Sequence, residues 1–219
     1  MVVNILSKLI QVSAILICVN AYTDAMYHSN SPSVVFSDWD HVAAQTANDG
    51  SLIVLENGAK FMVITSECEL VTTWHYQDPL TICPYYSRIY SGNVQIVNKR
   101  TQESVRAYYI KPPNLNNRYT HHIKSIDPIK HTIVLTDGSG QRFLWQILPE
   151  DWHIVVGGEG LENWRNGMGW NLALPLLVGT QKKNYFFSNN TKPQFVLIYF
   201  KSDPDPSKQI EYIRANPLD

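Results

Sequence analysis

Leu52-Ile53-Val54-Leu55-Glu56-Asn57-Gly58-Ala59-Lys60-Phe61-Met62-Val63-Ile64 decides the fold. Four β-favouring residues run into Asn-Gly, and a second apolar run follows. Asn-Gly between two such runs is a strong hairpin signal, because both residues tolerate the positive φ of a tight primed turn. The stretch predicts a strand over Leu52–Leu55, a turn at Asn57-Gly58 and a return strand over Lys60–Ile64. Ile133-Val134-Leu135-Thr136-Asp137-Gly138 repeats its first half, with Asp-Gly as the turn and Arg142–Ile147 as the return strand.

Two more features follow each hairpin in the same order. Trp74 precedes Pro79-Leu80-Thr81-Ile82 by four intervening residues, and Trp170 precedes Pro175-Leu176-Leu177-Val178 by the same interval. A closing hairpin comes next. Val94–Val97 turns through Asn98-Lys99-Arg100-Thr101 into Ser104–Ile110, and Phe195–Phe200 turns through Ser202-Asp203-Pro204-Asp205-Pro206 into Gln209–Ile213. Three features in one order predict an internal repeat. The reading is all-β: two small barrel-like (SH3-like) units in tandem.

The offset between copies is 80 residues from Val54 to Val134 and 96 from Trp74 to Trp170. The second copy therefore carries about 16 extra residues in that interval, which includes Gly157-Gly158-Glu159-Gly160-Leu161-Glu162-Asn163-Trp164-Arg165-Asn166-Gly167-Met168-Gly169. So glycine-dense an insertion, residues 157–169, reads as a loop, and long loops on compact scaffolds often carry function.

Outward from the repeat, the units are expected at 50–112 and 128–219, joined by a linker at 113–127 rich in asparagine and opened by Pro112-Pro113. Residues 22–49 read as a flexible lead-in and one short helix: Ser37-Asp38-Trp39-Asp40 has capping-box character and His41-Val42-Ala43-Ala44-Gln45 continues it. Residues 1–21 read as a secretory leader, with Lys8 ahead of an apolar run and Val19-Asn20-Ala21 at the cleavage site. That run is too short for a membrane span, which needs about 20 residues, and no later stretch approaches one. Cleavage removes Cys18. Cys68 and Cys83 remain, and an even pair in an exported chain predicts a disulfide.

Composition narrows the function. Charged residues are 17% of the chain, the formal net charge is -1, and aromatics are 11%. A near-neutral chain lacks the basic surface of a duplex-DNA binder, and this aromatic content excludes a disordered one. The glycine loop does not continue into Gly-Lys-Ser/Thr and does not match a dinucleotide fingerprint, so no nucleotide cofactor is expected. The seven histidines form no zinc spacing, so no metal is expected. Trp152, Trp164 and Arg165 around the loop offer flat faces with polar edges. Tyr85, Tyr86 and Tyr90, with Tyr108, Tyr109, Arg88, Arg100 and Arg106, have the composition of protein-binding hot spots. The leading reading is non-catalytic binding of a protein or a glycan, without nucleic acid or an integral span. The alternative is a secreted hydrolase using Glu150, Asp151, Glu159 and Glu162, since paired carboxylates beside tryptophans suit glycosidic cleavage.

The order of leader, strand, Val-Leu-x-Asn/Asp-Gly, return strand, then tryptophan and strand resembles small uncharacterised two-unit β-proteins exported by intracellular bacteria. That resemblance spans roughly residues 50–215 and brings no functional residues with it.

Overall fold

The computed structural model describes residues 39–86, 91–157, 169–181, 195–201 and 203–218. The leader, most of the lead-in, most of the glycine-dense segment, Tyr90, Trp164 and Arg165 lie outside them.

The described chain is all-β. Six strands close a first barrel: β1 (His41–Thr46), β2 (Leu52–Leu55), β3 (Lys60–Val63), β4 (Pro79–Pro84), β5 (Val94–Asn98) and β6 (Ser104–Lys111). Six more close a second: β7 (His121–Asp127), β8 (Thr132–Thr136), β9 (Arg142–Ile147), β10 (Pro175–Thr180), β11 (Phe195–Phe200) and β12 (Ile210–Leu218). Around the first ring the order is β1-β2-β3-β6-β5-β4, and around the second, starting at β7, it is β7-β8-β9-β12-β11-β10. Among the described strands the orders are the same, all pairings are antiparallel, and each ring closes on itself.

Side-chain alternation sets what lies inside each ring. Ile53 and Leu55 point into the first barrel, and Ile133 and Leu135 take the same places in the second. Ala107 and Ala215 match on the closing strands, opposite Val94 and Phe195 respectively. Between β3 and β4 a 3₁₀ turn (Thr65–Glu67) leads into helix α1 (Cys68–Val71). Between β9 and β10, Pro149–Asp151 leads into α2 (Trp152–Val156). Each helix delivers its tryptophan to the core, with Trp74 N–H donating to the Val71 carbonyl and Trp170 N–H to that of Val155.

This correspondence redistributes the surplus of the second copy. Ile53 pairs with Phe61 and Ile133 with Trp145, so four extra residues lie in the second hairpin. The other twelve lie between helix and tryptophan, where Val71 and Trp74 are three apart but Val155 and Trp170 are fifteen apart.

Two expectations about the ends of the units are corrected. His41–Gln45 is not helical but belongs to β1, paired with β2 and β4. Residues 121–127 are not linker but β7, paired with β8 and β10. The true connection is short and packs against both first hairpins. Asn114 N–H donates to the Asn57 carbonyl, Asn117 Nδ2 to the Glu56 carbonyl, and Gly138 N–H to the Arg118 carbonyl. A Cβ on Gly138 would lie 2.5 Å from both Arg118 Cα and the Asn117 carbonyl oxygen. That glycine serves close approach, while the left-handed residue of the second hairpin is Gly140, φ 88°.

The expected disulfide is absent: Cys68 and Cys83 are not bonded to each other. Cys68 opens α1 just after β3, and Cys83 lies in β4. The ring makes β2 and β6 the neighbours of β3, and β1 and β5 those of β4. Cys68 Sγ lies 3.5 Å from the Ile64 carbonyl, whereas Cys83 Sγ faces outward, 3.4 Å from Thr180 Oγ1 of the second barrel.

The barrels are fused rather than strung together. β10 and β11 are buried on both faces, as their continuous apolar runs imply. Leu176, Val178 and Leu197 fill their own barrel, while Leu177, Val196 and Ile198 join the apolar cluster of the first. Gly179 makes this crossing fit, because a Cβ there would sit 2.3 Å from the Ile82 carbonyl oxygen.

Candidate functional site

The seam between the barrels holds the densest buried chemistry. His41 and His121 occupy the same place in the two copies, opposite Leu80 on β4 and Leu176 on β10. Their surroundings differ. His41 Nδ1 is 2.7 Å from Glu56 Oε1 and its Nε2 is 3.0 Å from the Val178 carbonyl. Glu56 Oε2 accepts the Val42 N–H at 2.9 Å. Burial pulls the His41 pKa down, but the Glu56 carboxylate and the Val178 carbonyl outweigh it, and the net shift is upward. Burial pushes Glu56 up, and His41⁺ with two backbone N–H groups brings it below its ordinary value.

At the position matching Glu56 the second barrel has Thr136, and among the described residues no carboxylate hydrogen-bonds His121 Nδ1. Its Nδ1 is buried without a hydrogen bond. Burial first, and the nearby His41 second, lower its pKa to about 4. His121 is therefore a neutral imidazole at neutral pH.

A second constellation recurs in both barrels. Arg106 donates its backbone N–H and its Nε to Glu67, the latter at 2.7 Å. Arg214 donates its backbone N–H and Nε to Asp151 Oδ2 at 2.7 and 2.9 Å, and a terminal N–H to Oδ1 at 2.8 Å. Each clamp ties the turn before a helix to the closing strand. The tryptophans make a matching bond: Trp74 Nε1 donates to Glu103 at 3.0 Å and Trp170 Nε1 to Glu211 at 2.8 Å. Burial raises the Asp151 pKa, but the Arg214 bonds outweigh it and hold the carboxyl below its ordinary range.

That clamp bears directly on the expected carboxylates. Asp151 is committed to Arg214, Glu150 is exposed with Arg214 3.8 Å away, and Glu159 and Glu162 lie outside the described residues. A general acid at neutral pH needs a raised pKa, and Asp151 shows the reverse.

The expected aromatic binding residues separate into core and surface. Trp152 is buried, its ring stacked on His131 at 4.8 Å, so it anchors the core rather than presenting a surface. An indole on a helix facing the barrel gains more from burial than from display. Trp164, Arg165 and Tyr90 fall outside the described residues. Tyr109 is fully buried, stacked on Phe61 at 4.9 Å. Arg100 sits at the far end of β4, with Nε 2.5 Å from Oδ1 of buried Asp78. Tyr85 and Tyr86 follow β4. Tyr85 is half-buried beside Arg106, and Tyr86 is 84% exposed. Tyr108 faces outward from β6 opposite the exposed Met62 of β3.

Sequence reasoning missed the two histidines and both clamps. A signal existed. His41 and His121 share the 80-residue offset of the hairpins, and Arg106 with Glu103 shares a single offset of 108 with Arg214 and Glu211. Comparison with protein-family models, with curated proteins and with solved structures returns no match.

Proposed function

We propose that this chain is an exported, non-catalytic binding protein that takes a protein or glycan on the outer face of its first barrel. The observation that carries the reading is Tyr86, 84% exposed just past β4 of the closed first barrel. Beside it Tyr85 and Glu67 hold Arg106 in place, and Met62 and Tyr108 extend the apolar surface. Tyrosine beside an oriented arginine offers an amphipathic platform that loses little side-chain freedom on binding. Export rests on residues 1–21, and any contribution of the glycine-dense segment rests on Trp164 and Arg165. Of the carboxylates in the hydrolase alternative, Asp151 is committed to Arg214.

The test uses residues 22–219 on a glycan array and against a display library of peptides. Tyr86→Ala is compared with Tyr76→Ala, another exposed tyrosine, beyond the opposite end of β4. Tyr86→Ala is expected to weaken any captured ligand by tenfold or more while Tyr76→Ala leaves it unchanged. Equal effects of the two, or glycoside cleavage that Asp151→Asn abolishes without loss of stability, would overturn the reading.

A further inference from the structure

The outer face of the first barrel carries a row of side chains that the second barrel does not repeat. Leu52 of β2, Met62 of β3 and Tyr108 of β6 are direct register partners across three strands. Their neighbours Ile53, Phe61 and Tyr109 belong to the core, so strand alternation turns this row outward. Leu52 and Tyr108 are half-buried and Met62 is exposed. In the second barrel the same three places hold Thr132, Gln146 and Asn216, again direct partners. A polar row closes this ring equally well, so the fold does not require the apolar one.

The adjacent row also differs. Val54, Lys60 and Lys111 are partners in the first barrel, where the second has Val134, Leu144 and Leu218. Like charges directly opposite each other on a ladder destabilise it. Among the described residues no carboxylate lies within ion-pair distance of Lys60 or Lys111. The Lys111 ammonium donates only to the neutral Asn114 Oδ1, at 3.3 Å.

A bulge creates this lysine pair. The register shifts between Lys60 and Phe61, so Ile110 is passed over and Lys111 comes opposite Lys60. The matching ladder of β9 and β12 runs without a shift. Bulges re-aim side chains and are frequent beside functional sites. The first barrel thus departs from its twin three times on one face: an apolar row, a lysine pair beside it, and the bulge that brings the lysines together.

We propose that these two rows dock an acidic polypeptide segment, its apolar side chains seated on Leu52, Met62 and Tyr108 and its carboxylates on Lys60 and Lys111. The inference rests on the binding reading above and names the partner. Charge complementarity selects the occupant, because a carboxylate between the two lysines replaces their repulsion with attraction. The thioether of Met62 adapts to varied apolar contacts. A phosphate or sulfate polymer would satisfy the lysines and leave the apolar row unused.

The experiment selects binders of the full chain from a random peptide display library. The best is measured by calorimetry beside a counterpart with every Asp and Glu changed to the amide. The natural chain should prefer the acidic peptide by about tenfold, and by less at high salt. Met62→Gln with Tyr108→Asn installs the second barrel's own row and should weaken both peptides by about tenfold or more. Lys60→Leu with Lys111→Leu installs its other row and should erase the preference between them. Lys60→Gln with Lys111→Gln should do the same, and it carries the test where the leucine pair fails to fold. A selection yielding no acidic sequence overturns the proposal. So does heparin or polyphosphate bound through the lysines with no effect of Met62→Gln and Tyr108→Asn. Peptides weakened by Tyr86→Ala but by neither row would overturn this inference and leave the Tyr86 reading standing. Peptides weakened by both rows but not by Tyr86→Ala would keep the inference and remove Tyr86 from the surface.

Discussion

His41 and His121 hold the same register position in two copies of one barrel, and their charge at neutral pH is opposite in tendency. His41 faces Glu56 and is driven toward the cation. His121 Nδ1 hydrogen-bonds no carboxylate, and burial drives the ring toward the neutral form against the weaker pull of Asp137 and Glu56. One position accounts for the difference, Glu56 in the first copy and Thr136 in the second. The repeat preserves the backbone frame, the clamps and the tryptophan–glutamate bonds. It does not preserve the chemistry of the seam.

The largest expected effects break the seam itself. Leu177→Ala and Ile198→Ala each remove a fully buried side chain that lies in a second-barrel strand but joins the first-barrel core. Each should cost about 2–5 kcal/mol and lower one cooperative unfolding transition, seen by chemical denaturation. A variant melting in two separate steps would show that the barrels are independent.

The clamps come next. Asp151→Asn and Glu67→Gln each weaken charge-assisted bonds to a partly buried arginine, so each should cost about 1.5–3 kcal/mol. The two losses should agree within about 1 kcal/mol if the copies are energetically equivalent. A clamp that matters in only one barrel would restrict the repeat to its backbone.

The pH dependence sharpens the contrast between the histidines. His121 has a folded pKa below its unfolded value, so the unfolded state binds more protons between pH 6.5 and about 4. Its contribution to stability is complete above pH 6.5 and is lost as pH falls through that window. His41 is raised, so its contribution is complete below pH 6.5 and is lost as pH rises through its folded pKa. Glu56 is lowered, and its contribution fades on acidification below 4.5. NMR titration of the imidazole C–H signals should place His41 above 6.5 and His121 near 4. Thr136→Glu should raise His121, and Glu56→Thr should lower His41 below 6.5. No exchange of behaviour in either variant would assign the contrast to something other than this position.

The smallest effect concerns the indole bonds. Trp74→Phe and Trp170→Phe each delete one N–H donor to a glutamate, and each should lose on the order of 1 kcal/mol beyond the change in packing. Thermal unfolding with Glu103→Gln and Glu211→Gln as controls separates the two contributions.

Much of this frame is legible in the chain. Asn57-Gly58 and Asp137-Gly138 mark the hairpins because turn chemistry is local, and Trp74 and Trp170 mark the anchors because their spacing to Pro-Leu survives the insertion. The first strand of each barrel is not legible, for one physical reason. β1 has a register shift between Ala43 and Gln45, and β7 has one between Ile123 and Ser125. The irregularity falls at matching positions and breaks the two-residue alternation by which strands are recognised. His41-Val-Ala-Ala-Gln then looks helical, and His121–Asp127 looks like linker. The disulfide expectation fails because ring order is a long-range property that two cysteines fifteen positions apart do not encode. Of the aromatic candidates, Tyr86 is on the surface. Trp152 is not, because a tryptophan in a short amphipathic helix serves burial as readily as display.

The central claim is that the second barrel completes the core of the first, so that the two open as one body. Native-state hydrogen exchange, read amide by amide in the natural chain and in Ile198→Ala, tests it most directly. The account predicts that Ile53 and Phe61 in the first barrel and Ile133 and Trp145 in the second share one opening free energy, and that all four fall together in the variant. Protection at Ile53 and Phe61 left unchanged while Ile133 and Trp145 lose theirs would contradict it.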